Sequence, residues 1–356
     1  MWVRFDKRRE ARDSTVDRVA SAIIDFTEGA YDLEQSDQEW LPTLLKRGLP
    51  ILDNGLGVAG YEYGRPPDAE GVELRDVHVA SGPKDFAERH LRALSTTDPG
   101  LLRRQLRPGA ATTGSEYCKD DPAQLAHYIS HVDYCKDVLF LTAVDPRGVG
   151  VAVVAPLPEV TKLSPQDAER WQMLAAHVEA GHRLRQGVAD GDAEREGKQA
   201  LPHDAEAILD AGNLRVTEAV GPARNRTTAK RLRDAAVAVD RARGKMRNTD
   251  PDNALGIWKA LVRGRWSMVD WFDTDGRRFV LAIPNSPDVT DPRGLSERER
   301  QVVSYAVLGH SNKMIAYRLG LSRSRISTLL RSSMRKLGLR TRAQLVKEMG
   351  DFQALD

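Results

Sequence analysis

The chain has 356 residues, 41% hydrophobic and 29% charged, which is typical of a folded globular protein with two or three domains rather than of a disordered or collagen-like one. Its apolar runs fall short of the roughly 20 residues that span a bilayer, it shows no secretory signal, and its two cysteines cannot form a disulfide framework, so we expect a cytoplasmic protein without membrane contact. The net charge of +2 conceals a basic end on an acidic body, since residues 295–349 carry twelve Lys or Arg against three acids and the remainder carries 41 against 48.

The first predicted unit, residues 14–186, is called the front module. Apolar residues at helical spacing predict two helices near its start, around Ile23 and Leu44. Alternating apolar residues and turns that contain Pro or Gly then predict a sheet. Its predicted strands span 57–63, 72–80, 138–144 and 149–155. We expect this sheet to bury Leu74, Val79, Val138, Phe140, Val151 and Val153.

A long helix is predicted to close the front module. Ser164 is placed to cap this helix, and Pro165 suits its first turn. Trp171, Leu174 and Val178 lie on one helical face and form an apolar stripe. We expect this stripe to support self-association, because an exposed apolar stripe needs a partner surface.

The order of helix, sheet with hairpins and closing helix resembles the GAF family of small-molecule sensor domains. The resemblance covers the layout of the front module and no sharp motif. It implies a ligand site between the antiparallel sheet and a covering helix or loop, and terminal helices that pair between subunits. A small-molecule ligand and a second copy of the chain are therefore candidate partners.

Four residues of the front module have metal-ligating side chains, and three of them are spaced as on one helix. The set is Cys118, His127, His131 and Cys135. Neighbours four residues apart share a helical face and can share an ion, but the outer two of the helical three lie about 12 Å apart along an ideal axis. We therefore expect no metal site. Phosphate-binding loops, nucleophile turns and zinc-protease helices are also missing from the sequence, so we expect no cofactor and no enzymatic activity.

A charged stretch at 187–203 has almost no apolar residue and predicts a linker. The unit after it, 204–284, is called the middle module, and it is predicted to be a smaller α+β unit. Turn residues at 210–213 and the dipeptide Asp275-Gly276 each predict a hairpin. Helices are predicted between the hairpins, a basic one at 225–245 and one from Asp250-Pro251 to Val262. This layout loosely resembles a PAS-like module; a compact spacer that orients the next domain fits the pattern equally well.

The last unit, 295–356, follows a proline-rich linker at 285–294 and is called the C-terminal domain. Local rules predict four helices in it, with N-caps at Ser296, Ser311, Ser322 and Thr341 and glycines that end the first three at Gly309, Gly320 and Gly338. Only a short Gly-Leu turn separates the second helix from the third. These two helices must therefore cross sharply, as a helix-turn-helix requires.

The C-terminal domain resembles the LuxR-type DNA-binding domain over residues 295–346. The matching segments are Leu295-Ser-Glu-Arg-Glu-Arg-Gln-Val-Val303, Ser311-Asn312-Lys313 with Ile315-Ala316, Leu321-Ser322, and Arg335-Lys336-Leu337-Gly338. The resemblance implies a helix-turn-helix at 311–330 whose second helix enters the major groove. The chain departs from the family at four positions, with Met314 in place of the usual Glu, Arg325 in place of Thr, and Ser327 and Leu329 in place of Lys and His.

Charge supports this resemblance, because a basic domain on an acidic body is expected where one domain contacts nucleic acid. The third helix carries five Lys or Arg and no acid between Ser322 and Leu337, so it can approach phosphates without repulsion. We expect base contacts from its first turns and phosphate contacts from its C-terminal half. The residues predicted to contact DNA are Ser311, Asn312, Lys313, Ser322, Arg323, Ser324, Arg325, Ser327, Thr328, Arg331, Arg335 and Lys336.

The sequence thus predicts an α+β multidomain protein with a charged tail at 1–13, a GAF-like front module, a PAS-like middle module and an all-α four-helix C-terminal domain. The predicted function is that of a one-component transcriptional regulator that binds double-stranded DNA as a homodimer, with RNA polymerase as a further candidate partner. Two alternatives remain, namely a front module that only dimerises or docks another regulator, and an enzyme tethered to DNA. An apolar cavity with convergent polar groups would favour a ligand; a filled interior would favour docking.

Overall fold

The computed structural model describes residues 21–64, 73–98, 111–144, 149–194, 201–258, 261–262, 266–284, 295–337 and 339–350. Within these ranges the chain forms two antiparallel sheets, each flanked by helices, and a helical C-terminal domain. The predicted α+β class is confirmed at this level. Of the helices described, none is both long and apolar enough to cross a membrane.

The front sheet has five antiparallel strands in the order β2-β1-β5-β4-β3. They are β1 (Val58–Gly64), β2 (Glu73–Ser81), β3 (Ala111–Thr113), β4 (Asp137–Val144) and β5 (Gly150–Leu157). Every residue of β4 and β5 is buried, which explains why these strands are continuous apolar runs instead of alternating ones. The predicted central hairpin is confirmed; its turn at 145–148 lies outside the described residues.

Helices cover both faces of the front sheet. In chain order they are α1 (21–30), α2 (Asp37–Leu52), α3 (Phe86–Ser95), α4 (Gly114–Tyr117), α5 (Pro122–Val132) and α6 (Pro165–Glu194). One apolar cluster joins α1, α2 and α6 to the inner face of the sheet, and a second cluster joins α3 and α5 to its outer face. The predicted helices around Ile23 and Leu44 are confirmed as α1 and α2.

The expected core of the front sheet is correct except at its edge. Val138, Phe140, Val151 and Val153 are buried, and Leu74 is half-buried. The expectation for Val79 is wrong, because its side chain is 39% exposed. Val79 lies on the edge strand β2 between two shifts in the β1–β2 register, and each shift interrupts the alternation that would turn an apolar residue inward.

Helix α6 is the predicted closing helix of the front module. It begins as predicted, with Ser164 Oγ accepting the Asp167 N–H at 3.1 Å, but it extends to Glu194, so the predicted linker at 187–203 starts inside a helix. Leu174 and Val178 are fully buried within the chain. The argument that the stripe needs a partner subunit is therefore wrong, because the front sheet and α1 already cover it.

The middle module has a second five-stranded antiparallel sheet, in the order β7-β6-β10-β9-β8. Its strands are β6 (Ala207–Asp210), β7 (Val216–Ala219), β8 (Leu261–Val262), β9 (Trp266–Phe272) and β10 (Arg278–Pro284), and its helices are α7 (Arg226–Arg243), α8 (Met246–Thr249) and α9 (Pro251–Ile257). Both predicted hairpins are confirmed. The helix predicted through Val262 ends at Ile257, because Trp258 is extended and Val262 pairs with Trp266.

The C-terminal domain contains four helices, α10 (Glu297–Val307), α11 (Asn312–Arg318), α12 (Arg323–Lys336) and α13 (Arg342–Gly350). All four predicted N-caps are confirmed, and Ser296 forms a full capping box with Glu299. Gly309 follows α10 with a φ of +87°, a conformation that favours glycine. Gly338, which is predicted to end the third helix, lies outside the described residues.

Candidate nucleic-acid interface

Helices α11 and α12 form a tight helix-turn-helix. The backbone N–H of Leu321 donates to the Ala316 carbonyl at 2.9 Å, and the N–H of Gly320 donates to the Tyr317 carbonyl at 3.2 Å. Gly320 has a φ of +59°, in the left-handed region where a Cβ is costly. These bonds end α11 and reverse the chain, so that α12 starts at a sharp angle to it.

An apolar core determines which side of α12 faces solvent. Ile315 of α11 and Leu319, which directly follows α11, pack with Ile326 and Leu330 of α12, and α10 contributes Val302 to the same cluster. The opposite side of α12 is exposed along its whole length. It presents Arg323, Ser324, Arg325, Thr328, Arg331, Arg335 and Lys336.

This exposed side of α12 is strongly cationic. In the ranges that the structure describes, no carboxylate pairs with Arg323, Arg325, Arg331 or Arg335. Four guanidinium groups on one open helical face, without an acid among them, suit a polyanion such as a nucleic-acid backbone. The four predicted arginines of α12 are thus brought together on one surface, whereas the predicted contact Lys313 of α11 forms an ion pair with Glu169 of α6.

Several predicted contact residues also have local structural bonds. Ser311 and Ser322 accept the N–H groups of Met314 and Arg325 at 3.3 and 3.2 Å, as helix caps do. The Thr328 hydroxyl donates to the Ser324 carbonyl at 3.0 Å within α12. These hydroxyls position the helices, and their contact with DNA stays a prediction.

Arg342 in the first turn of α13 organises the predicted residues Asn312 and Ser327, and sequence reasoning missed it. It donates to Asn312 Oδ1 at 3.0 Å and also to the His310 carbonyl, while Asn312 Nδ2 donates to Ser327 Oγ at 3.3 Å. Partial burial lowers the pKa of Arg342. A cation in the first turn of a helix is disfavoured by the helix dipole, and that signal was available in the sequence.

Lys336, a predicted phosphate contact, pairs with a buried carboxylate of its own domain. Its Nζ lies 2.6 Å from Oε2 of Glu299, a residue that is 4% exposed. Burial alone would raise the pKa of Glu299, but Lys336, Ser332 and Ser296 bring it down to about 2. Lys336 therefore ties α12 to the start of α10.

The C-terminal domain meets the front module at Glu179 of α6, which is 3% exposed. Tyr305 of α10 donates to Glu179, Arg318 of α11 forms an ion pair with it, and Arg183 lies 3.3 Å from its Oε1. The Arg318 guanidinium also lies 5.4 Å from the centroid of the Tyr305 ring, and burial lowers the pKa of Arg318. A buried carboxylate thus joins two modules that are distant in sequence.

His177, two residues earlier on α6, joins all three modules. Its Nδ1 lies 2.8 Å from the Tyr31 hydroxyl of α1, and its Nε2 lies 2.6 Å from the Tyr317 hydroxyl of α11. Tyr317 donates its single proton to the Leu255 carbonyl of α9 at 2.8 Å, so it accepts from His177 Nε2. Burial and the charge of Arg318 lower the pKa of His177 to about 3, and the neutral ring accepts from Tyr31 through Nδ1.

Met314, one of the four departures from the LuxR-type pattern, lies in the same contact region. Its side chain is 5% exposed and packs with the apolar cluster of the front and middle modules, not with the core of its own domain. A Glu at this position would place a charge in an apolar environment, at a high free-energy cost. The departure therefore marks the surface of α11 that docks on α6.

The four candidate metal ligands do not converge. His127 Nε2 lies 3.0 Å from the Thr96 hydroxyl, and His131 Nδ1 lies 3.0 Å from the His127 carbonyl. Cys135 lies beyond the end of α5 and is buried. Across the described part of the chain, no group of three or more His, Cys, Asp or Glu side chains is arranged to hold a metal ion.

A buried polar pair lies between the front sheet and its covering helices, where the GAF resemblance places a ligand. His90 of α3 is fully buried, and its Nδ1 lies 2.7 Å from the Tyr128 hydroxyl of α5. Its Nε2 has no hydrogen-bond partner among the described residues. Burial lowers the pKa of His90 to about 4, so the ring is neutral at pH 7. Sequence reasoning did not single out this residue.

Comparison with protein families assigns the C-terminal domain. Residues 293–349 match the family model described as GerE, bacterial regulatory proteins, luxR family. The C-terminal domain is therefore a LuxR-type helix-turn-helix domain, as the sequence motifs indicated, and the chain is a DNA-binding transcriptional regulator. A comparison with curated proteins finds no match.

Proposed function

Because the chain carries a luxR-family DNA-binding domain, we propose that it is a one-component transcriptional regulator whose α12 reads double-stranded DNA in the major groove. The open cationic face of α12 carries this proposal, since it presents four arginines without a carboxylate partner in the described part of the chain. Arg323 and Arg325 in its first turn reach base edges, and Arg331 and Arg335 bind phosphates. The regulator acts in the cytoplasm and works with RNA polymerase at its target sites; homodimerisation, which the buried stripe of α6 does not support, stays a prediction.

In this proposal the front module senses a small molecule. The buried pair His90 and Tyr128 supports a ligand site, because an unpartnered ring nitrogen between sheet and helices is a costly group that a polar ligand would satisfy. A second candidate role is protein docking without a ligand. Packed apolar clusters on both faces of the front sheet favour that alternative.

DNA selection with the full chain tests the proposed function. The wild type should enrich a defined sequence from a random pool of duplexes, and genome-wide mapping should find the same sequence. The double variant Arg323→Ala/Arg325→Ala should lose base preference while its melting temperature stays unchanged. The matched control, Arg231→Ala/Arg233→Ala, removes two exposed arginines from α7 and should keep the preference. Equal loss in both variants would contradict the assignment of α12 as the reading helix.

A further inference from the structure

The basic stretch around α7 of the middle module has no role in the function proposed above. Residues 221–250 contain nine Lys or Arg against three Asp, whereas the chain outside this segment and outside 295–349 carries 32 Lys or Arg against 45 acids. Arg243 and Arg247 form ion pairs with acids of α1. The segment still exposes seven cations against three acids. A basic surface on an otherwise acidic body is expected where a protein contacts an anionic partner.

The apolar face of α7 is already covered by its own chain. Leu232 and Ala236 pack with the middle sheet, and Val239 and Ala242 belong to the cluster that includes α9. The opposite face is exposed, and residues three or four positions apart follow one another along it. This exposed row consists of Arg226, Lys230, Arg233, Val237 and Arg241.

Three arginines of the exposed row are free to bind a partner, because the acids of α7 are matched by other cations. Lys230 lies 2.8 Å from Asp234, and Asp240 lies 3.7 Å from Arg278. Among the residues that the structure describes, no carboxylate forms an ion pair with the remaining three members of the row that carry a charge. These three are called the arginine row and are Arg226, Arg233 and Arg241.

The spacing of the arginine row determines which kind of anion it fits. Neighbouring members are seven and eight residues apart, so the row extends over about 22 Å of the helix. One small anion cannot contact the whole row, whereas a DNA duplex presents about one charge per 1.7 Å of its axis. A lipid surface fits less well, because interfacial helices insert a broad apolar face and Val237 is the only apolar residue of the exposed row.

The middle module lies directly beside the C-terminal domain. Tyr317 of α11 donates to the Leu255 carbonyl of α9 at 2.8 Å, and α9 packs in turn on Val239 and Ala242 of α7. Packed helices have interaxial distances of 8–10 Å, so the axis of α7 lies within about 20 Å of the axis of α11. A duplex that extends beyond the C-terminal domain is therefore close enough to contact the middle module.

We propose that the arginine row of α7 is a second DNA-binding surface, which holds the phosphate backbone next to the sequence that α12 reads. The inference rests on the proposed DNA binding by the C-terminal domain. Phosphate contacts carry no sequence information directly, so the row adds affinity and length to the contact without adding base preference. An acidic protein is the competing partner, and the row would then have no effect on DNA binding.

The triple variant Arg226→Ala/Arg233→Ala/Arg241→Ala tests the proposal in the full chain. Two duplexes are compared, the minimal selected sequence and the same sequence extended by about 20 base pairs on each side, roughly 68 Å. The wild type should bind the extended duplex about tenfold more tightly, and the triple variant should lose this gain while it keeps the base preference. On the extended duplex the magnitude of the salt slope should fall by about 3 in the triple variant and by about 1 in Arg233→Ala.

The matched control is Lys46→Ala/Lys84→Ala/Lys119→Ala, which removes three exposed cations from the front module and changes the net charge equally. This control should keep the gain on the extended duplex, and thermal unfolding should show that both variants are folded. Equal gains in the triple variant and the control would overturn the proposal, as binding of an acidic protein would require. Should the triple variant fail to fold, the salt slope of Arg233→Ala decides.

Failure of the proposed function would be a different result. If the wild type selects no sequence, base readout by α12 fails, and the salt slopes on a long random duplex still decide the role of the arginine row. A slope that is unchanged in the triple variant would then exclude this second surface as well.

Discussion

Nε2 of His177 in α6 and the hydroxyl oxygen of Tyr317 in α11 lie 2.6 Å apart, and this bond holds the DNA-binding domain against the front module. While α11 is docked on α6, burial and the nearby Arg318 lower the pKa of His177 from 6.5 to about 3. If α11 separates from α6, the His177 ring returns to its ordinary pKa. The state in which α11 has separated from α6 therefore binds more protons than the docked state between pH 6.5 and pH 3, and docking weakens as the pH falls through this range.

We expect a change from pH 7.5 to 5.5 to weaken docking by about 1.4 kcal/mol through this one residue. Hydrogen exchange of α11 peptides, corrected for the intrinsic effect of pH on exchange, measures this loss of docking free energy. His177→Gln should remove most of this pH dependence, because an amide can still donate and accept but does not titrate in this range. Peptides of α3 serve as the internal control. Burial also lowers the pKa of His90 in α3, so the pH dependence of these peptides has the same sign and should persist in the variant. The prediction fails if the variant keeps the full pH response.

The two halves of α12 should separate affinity from base preference. Replacing Arg331 or Arg335 by Ala should weaken all duplexes alike and lower the magnitude of the salt slope by about 1, because one phosphate contact is lost. Replacing Arg323 by Ala should cost about 1 to 3 kcal/mol on the selected duplex only, if its guanidinium contacts a guanine. Fluorescence anisotropy on selected and scrambled duplexes at several salt concentrations distinguishes these outcomes. A uniform loss for all three variants would argue against readout by the first turn.

Lys336 should prove to be a stabilising residue of the C-terminal domain. Lys336→Ala should lower the free energy of unfolding by about 1 kcal/mol, a value discounted for the partial exposure of the lysine. Arg335→Ala is the matched control, because it removes a neighbouring exposed cation that has no carboxylate partner in the described ranges. Since the pKa of Glu299 is about 2 instead of 4.5, the stabilisation is complete above pH 4.5 and disappears as the pH falls toward 2. Urea unfolding at pH 7 and pH 3 measures both effects, and equal losses in the two variants would contradict this role.

Two glycines of α6 should respond oppositely to the same substitution. Gly181→Ala should destabilise the front module, because the new Cβ would meet backbone of Ala30 that cannot move without shifting α1. Gly187→Ala should stabilise it by about 0.5 to 1 kcal/mol, since nothing lies near the added methyl group and alanine favours the helix. Thermal unfolding of both variants gives the comparison. A melting temperature of Gly181→Ala at or above that of the wild type would show that the helices do not cross as closely as described.

The sequence by itself determined the local elements of this protein and the identity of its C-terminal domain. Helix caps such as Ser296 and Ser322 and the turn at Gly320 act through hydrogen bonds between residues three to five positions apart, so their effect is visible in a short window. The same holds for the hairpins of the middle module. The charge of α12 could be counted directly, and the departure at Met314 could be seen, although its cause could not.

Only the tertiary structure decided what these elements pack against. The apolar stripe of α6 is covered by its own chain, Val79 is turned outward by register shifts at a sheet edge, and the two sheets share one strand order although the sequence shows no repeat. Glu179 and Arg318 are 139 positions apart, and neither residue alone indicates a buried pair. Such contacts depend on how whole helices and sheets fill space together, because burial and desolvation are properties of the assembled core and not of any local segment.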